Sequence, residues 1–228
     1  DNDDDCALIQ ERKFKAQWRY VVGKNPRAIT LNDVDGDGDI DALTANTYDH
    51  DVSVLLNNGD GTFAAKIDYS VGGFPESITL GDGDGDGDAD LLTANYIDST
   101  ASVLLNNGDG TFATKVDYGV GKWPEFITLG DVDGDGDLDA LTANSEDDDI
   151  SVLLNNGDGT FATRVDYAVG DSPYFIALGD VDGDGDMDAF TANTDDDDIS
   201  VLLNNGDGTF AAKVDYAVGD DPISLALG

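Results

Sequence analysis

A loop with aspartate at every second position recurs four times in this chain, starting at Asp33, Asp82, Asp131 and Asp180, each 49 residues after the last. A second signature, LLNNGDGTF, keeps the same step from Leu55, Leu104, Leu153 and Leu202. All five prolines, Pro26, Pro75, Pro124, Pro173 and Pro222, fall on it as well. A period of this length describes supersecondary units that cannot bury an apolar face alone and stack on their neighbours to do so.

Within the second unit, ESITLG (76–81) and DLLTAN (90–95) flank the acidic loop, ASVLLNN (101–107) follows, and TFATKVDYGV (111–120) returns. Each run is short and β-rich, and NGDG (107–110) carries glycine where a hairpin turn needs positive φ. SVLLN does not alternate apolar and polar, which predicts strands covered on both faces. With no helical periodicity, the reading is an all-β, β-propeller-type array of four-stranded blades. Its blades span 23–71, 72–120, 121–169 and 170–218. FKAQWRYVVGKNPRAITL (14–31) aligns with FAAKIDYSVGGFPESITL (63–80), so 1–22 are expected to hold the N-terminal strands of a split fifth blade. Residues 219–228 supply its C-terminal first strand.

Eleven Lys and Arg against 49 Asp and Glu give a formal charge of −38, which argues against nucleic acid or an anionic membrane as partner. The natural partner is cationic. No apolar run of about 20 residues is present, so no transmembrane helix is expected. DNDDDC reads as a processed or trimmed start. The single cysteine, Cys6, leaves an intermolecular bridge or a free thiol open.

Numbered from its first aspartate, the first loop runs Asp33, Val34, Asp35, Gly36, Asp37, Gly38, Asp39, Ile40, Asp41. Carboxylates at positions 1, 3 and 5, glycine at 6 and a backbone carbonyl at 7 match the first half of the EF-hand ligand scheme, and Asp at 9 closes the shell. All donors are oxygen, which favours a hard cation over zinc or copper, and a flexible carboxylate-rich loop suits calcium better than magnesium. The competing reading, an acidic solvated turn, does not account for four repeats of the same odd-position spacing. About four calcium ions, one per loop, are expected. The side chains at position 7 remain spare for water.

DVDGDGDLDALTAN followed by ISVLLNNGDGTF resembles the FG-GAP or VCBS repeat family, related to the blades of the integrin α-subunit propeller, over residues 14–228. The resemblance implies a calcium ion in the loop between the first two strands of each blade. It assigns as side-chain ligands Asp33, Asp35, Asp37 and Asp41; Asp82, Asp84, Asp86 and Asp90; Asp131, Asp133, Asp135 and Asp139; and Asp180, Asp182, Asp184 and Asp188. Asp39, Asp88, Asp137 and Asp186 would give carbonyl oxygens. Asn32 replaces the glycine of other units and Gly83 replaces valine. The full units are fewer than most family propellers use, so ring closure does not follow.

Other residues were weighed for chemistry. His50 is the only histidine, with no paired nucleophile, and reads as a loop residue. EDDD (146–149) and DDDD (195–198) read as solvated loop tips. Glu76 and Glu125 follow repeat prolines and suggest a glycosidase pair, but Arg27, Tyr174 and Ile223 stand at the equivalent positions, which speaks against one. Phe74 and Trp123 precede the same prolines and offer rings for stacking on a sugar or protein partner, with local packing as the rival role.

The expectation is a non-enzymatic, secreted, extracellular or cell-surface protein, stabilised by calcium, with a structural or adhesive role. Unpaired terminal strands would join copies head to tail into filaments. The alternative is a monomeric glycan- or protein-binding propeller module.

Overall fold

A computed structural model describes residues 18–227. The described residues contain sixteen strands and no helix, arranged as four four-stranded antiparallel sheets. The first sheet is β1 (Pro26–Asn32), β2 (Asp41–Asn46), β3 (Asp51–Leu55) and β4 (Ile67–Ser70), in that spatial order. The second is β5 (Pro75–Gly81), β6 (Asp90–Asn95), β7 (Thr100–Leu104) and β8 (Val116–Gly119). The third is β9 (Pro124–Gly130), β10 (Asp139–Asn144), β11 (Asp149–Leu153) and β12 (Val165–Ala168). The fourth is β13 (Pro173–Gly179), β14 (Asp188–Asn193), β15 (Asp198–Leu202) and β16 (Val214–Ala217). Each is a propeller-like blade. In every one the acidic loop joins the first strand to the second, as Gly81 pairing with Asp90 illustrates.

The stacking expected of a repeat is visible in the cores. One apolar cluster joins Leu43, Val52 and Val54 of the first blade to Ile78, Leu91 and Phe112 of the second. Leu92 and Val103 meet Ile127 and Phe161 in the next, and Leu141 and Ile150 meet Ile176 and Phe210 in the third. Each buried leucine or isoleucine stabilises its seam by roughly 1.5–3 kcal/mol. Strand β6 is buried along its whole length, as unalternating strands covered on both faces require.

No such cluster joins the fourth blade to the first among the described residues. Ile29 is 65% exposed, whereas its counterparts Ile78, Ile127 and Ile176 are 9%, 1% and 1% exposed. Val181 at the other end is 56% exposed against 1% for Val132. Among the described residues the two outer faces of the array are open.

The fourth strand of each blade is shorter than expected. In the second blade it covers 116–119, not 111–120, and only an isolated bridge between Asn106 and Phe112 precedes it. The register slips by one residue between them, since Val103 opposes Val116 but Asn106 opposes Phe112, and the Asn106 N–H turns the other way to donate to Asp90 Oδ1 at 2.7 Å. The turn instead closes on itself through Asn107 N to Thr111 O and Ala113 N to Leu105 O, with Gly108 and Gly110 at φ 77° and 74°.

Parts of the expected split fifth blade lie among the described residues. Residues 18–25 and 218–227 form no strand, because the described residues give these segments no neighbouring strand to take up their N–H and C=O groups. They still keep repeat-consistent contacts. Tyr20 sits edge-on to Phe63 at 5.2 Å, as Tyr69 does to Phe112 at 5.4 Å. Thr194 donates to Pro222 O at 3.1 Å, as Thr47 does to Pro75 O at 3.2 Å. Residues 1–17, Cys6 included, and Gly228 lie outside the described residues.

A polar network that sequence reasoning missed pins each blade. Asn144, fully buried in β10, donates to Asp149 Oδ1 (2.8 Å) and Ser151 Oγ (2.9 Å) and accepts from Thr142 Oγ1 (3.0 Å). Ser151 passes its own proton to Asp166 at 2.8 Å and accepts Gly121 N at 2.9 Å. Gly121 is glycine because a Cβ there would lie 2.5 Å from Asn144 Nδ2. The repeated TAN triplet and the invariant serine of the third strand were the available signal, within this chain's own repeats.

Candidate metal centre

Each acidic loop is curled by its own backbone. In the third, Asp131 Oδ1 accepts from Gly134 N at 2.7 Å and its Oδ2 from Gly136 N at 3.1 Å. Asp133 Oδ1 accepts from Asp135 N at 3.2 Å, and Asp135 Oδ1 from Asp137 N at 2.9 Å. Gly134 and Gly136 take φ 77° and 99°, a left-handed path that a side chain would strain. The curled loop brings the Asp131 and Asp133 carboxylates beside that of Asp139.

Carboxylate oxygens of Asp33, Asp35 and Asp37 lie within 4.8 Å of one another, and so do those of Asp82, Asp84 and Asp86. The third and fourth loops bring together Asp131, Asp133 and Asp139, and Asp180, Asp182 and Asp188. Such groupings repel unless protons or a cation sit among them. Burial foremost pushes Asp84 and Asp133 above the ordinary carboxylate range, and neighbouring aspartates add to it against the backbone hydrogen bonds. Asp33 Oδ1 is buried with no hydrogen-bond partner. Its counterparts on Asp82, Asp131 and Asp180 accept from Gly85, Gly134 and Gly183 N, and the clustered donors, all oxygen and hard, are of the kind that calcium takes.

Two position classes behave differently from their shared sequence spacing. Asp41, Asp90, Asp139 and Asp188 at position 9 are at most 1% exposed and bracket the loop against the hairpin. Asp139 Oδ2 accepts Val132 N (2.9 Å) and Oδ1 accepts Asn155 N (2.8 Å). Burial, against these bonds, pushes Asp90 and Asp139 up to about 6. At position 7 the carboxylates of Asp39, Asp88, Asp137 and Asp186 lie outside the four groupings and close to hairpin glycines Gly59, Gly108, Gly157 and Gly206.

The loops sit at the seams. Asn106 of the second blade donates to Val34 O in the loop before it (2.9 Å) and to Ala89 O in its own (3.2 Å). Asn155 repeats this with Gly83 and Leu138, and Asn204 with Val132 and Met187. The fourth loop, with no blade after it among the described residues, leaves Asp180 and Asp182 exposed.

The remaining candidates are placed as follows. His50 Nδ1 accepts Phe74 N at 3.0 Å, a loop role. Phe74 packs on Tyr48 and His50, and Trp123 stacks on Tyr96 with ring centres 5.4 Å apart. Glu76 and Glu125, set aside on sequence grounds, do meet: with Arg27, Tyr174 and Ile223 they line one cavity near the start of the first strands.

Fold and loops together define an all-β repeat module whose acidic, cation-type loops stand at the blade seams. The chain belongs to the FG-GAP-like repeat family, whose model matches residues 33–93, 82–142, 131–191 and 180–228. No curated protein matches it. Among solved structures it resembles the periplasmic gluconolactonase PpgL of Pseudomonas aeruginosa (TM-score 0.63, 15% identity, 86% of this chain and 55% of that one). It also resembles BBS1N in its complex with ARL6DN (TM-score 0.62, 14% identity, 90% and 61%). A third is virginiamycin B lyase of Staphylococcus aureus (TM-score 0.56, 14% identity, 82% and 54%). The likeness is one of fold, and the chain spans less than two thirds of each of these structures.

Proposed function

We propose that this chain is an extracellular, calcium-stabilised repeat module with a structural or adhesive role. The observation that carries the reading is the grouping of carboxylates within 4.8 Å in all four loops, one of them holding an orphaned buried oxygen. Calcium would be held by the aspartates at positions 1, 3, 5 and 9, and its charge would relieve their repulsion. Because the hairpin of each following blade grips the same loop, ion binding and blade stacking stabilise one another. The test is a thermal melt with and without chelator, beside a calcium titration by calorimetry. A melting temperature indifferent to chelator would overturn the reading.

The open outer faces support head-to-tail association as the structural role. The face carrying Ile29 is equivalent to those that Ile78, Ile127 and Ile176 press onto a preceding blade, so it fits the open face of the fourth blade of another copy. Such a contact is heterologous and extends unless it closes. Negative-stain microscopy in millimolar-range calcium tests it. Filaments support assembly, whereas discrete particles favour a monomeric glycan- or protein-binding module.

A further inference from the structure

The residue after each repeat proline is one place where the units disagree. Arg27, Glu76, Glu125, Tyr174 and Ile223 stand 49 residues apart, while two positions further on Ile29, Ile78, Ile127 and Ile176 are identical. Strands β1, β5, β9 and β13 pack in succession, so the divergent side chains converge on one cavity of about 300 Å³. Asn25, Phe74 and Tyr96 extend it. The next position also lines the cavity and also varies, as Ala28, Ser77, Phe126 and Phe175, so the repeat relaxes where it faces this shared space while the stacking isoleucines stay fixed.

Charges in the cavity do not cancel. Arg27 is engaged, its Nε 2.6 Å from Glu76 Oε2 and its guanidinium donating to the Tyr174 hydroxyl. Glu125, only partly buried, has a single hydrogen bond, from Ser145 Oγ at 3.3 Å. Burial and then the nearby Glu76 push its carboxyl above the ordinary range. Two carboxylates therefore share one cation, Arg27, which Glu76 engages directly, and the walls around Glu125 carry the rings of Tyr96, Phe126 and Tyr174. A divalent metal would need more oxygen donors than this one carboxylate offers. A neutral sugar would leave the charge uncompensated. A positive head on an apolar stem satisfies both the carboxylate and the rings.

We propose that this cavity binds a primary aminoalkyl group, the chemistry of a lysine side chain, with its ammonium on Glu125 and its stem against Tyr96, Phe126 and Tyr174. The probe is Nα-acetyl-lysine N-methylamide, titrated into the calcium-saturated full chain at physiological salt by calorimetry and by the fluorescence of the Trp123–Tyr96 stack. Saturable binding is expected, at least tenfold tighter than for the norleucine analogue that lacks the ammonium. Glu125→Gln should weaken it at least tenfold with the calcium stoichiometry and melting temperature kept. Equal binding by Glu125→Gln would assign the probe to the acidic surface and overturn the proposal. So would equal binding of the norleucine analogue, preference for a neutral monosaccharide, or no saturable binding by the unmodified chain, the last a result that does not depend on the variant folding.

Discussion

The side-chain amide of Asn106 donates to the backbone carbonyl of Val34, 72 residues earlier and in the preceding blade, at 2.9 Å. One asparagine thus holds the second residue of a neighbour's acidic loop while gripping its own loop at Ala89. Loop geometry in one blade depends on the hairpin of the next.

Asn106→Ala should therefore act at a distance. It strands two carbonyls at a buried seam, a loss of about 1–3 kcal/mol, and should weaken calcium at the loop 33–41. Asn57 is the internal control, since its side-chain amide donates to Ile40 O in its own blade and to no preceding loop among the described residues. Chemical denaturation and calcium calorimetry on Asn106→Ala and Asn57→Ala check both effects. Equal losses would separate the hairpin from the neighbouring loop.

The four loops should not bind calcium equally in this 228-residue chain. Val34 and Val132 in the first and third loops are 2% and 1% exposed, but Val181 in the fourth is 56% exposed, and no hairpin covers it among the described residues. Calorimetry should resolve a weakest site that Asp182→Asn removes, leaving the tighter sites intact. Asp133→Asn should remove a tight one.

Gly121→Ala should cost several kcal/mol, because its Cβ would fall 2.5 Å from Asn144 Nδ2 inside a fully satisfied buried network. Gly119→Ala, two residues away, meets nothing within 4 Å and should be close to neutral. Melting temperatures of the pair give the comparison.

Asp149 supplies a pH test away from the loops. Burial, with Asp166 and Asp147 adding, pushes its carboxyl up from 3.8 to about 6, against the bond from Asn144. A folded value above the unfolded one means that the contribution is full below 3.8 and is lost as pH rises through about 6. At neutral pH the charge is thus a burden of about 1 kcal/mol once the screening of a half-exposed group is allowed for. The second blade has Thr100 there, accepting the same asparagine amide at 3.1 Å. Asp149→Thr should raise the melting temperature at pH 7.5, with the gain shrinking at pH 5. A gain that grows on acidification would reverse the assigned sign.

Much of this was legible in the sequence, since a 49-residue period fixes unit length and the odd-position aspartates fix where the loops lie. The position 9 aspartates read as ligands by spacing alone. Their second task, bracketing Val132 and Asn155 N–H groups, needed the hairpin to be folded back. Asn144 and Ser151 were passed over because polar residues in a strand resemble a solvated face, whereas here they satisfy one another in the interior. Glu76 and Glu125 suggested a pair but were set aside because Arg27, Tyr174 and Ile223 stand at the equivalent positions, and the side-by-side first strands bring all five to one cavity.

The seams have a mechanical consequence. Three of them connect four blades in succession, so a pull on the two ends of the array, once the Arg27–Tyr174 contact between the first and fourth blades has parted, loads all three seams alike, and the weakest yields first. Each seam has an acidic loop clamped beneath a hairpin, so an ion seated there works as a rivet. The stiffness of the molecule would then follow the calcium of its surroundings, taut where the ion is plentiful and slack where it is scarce.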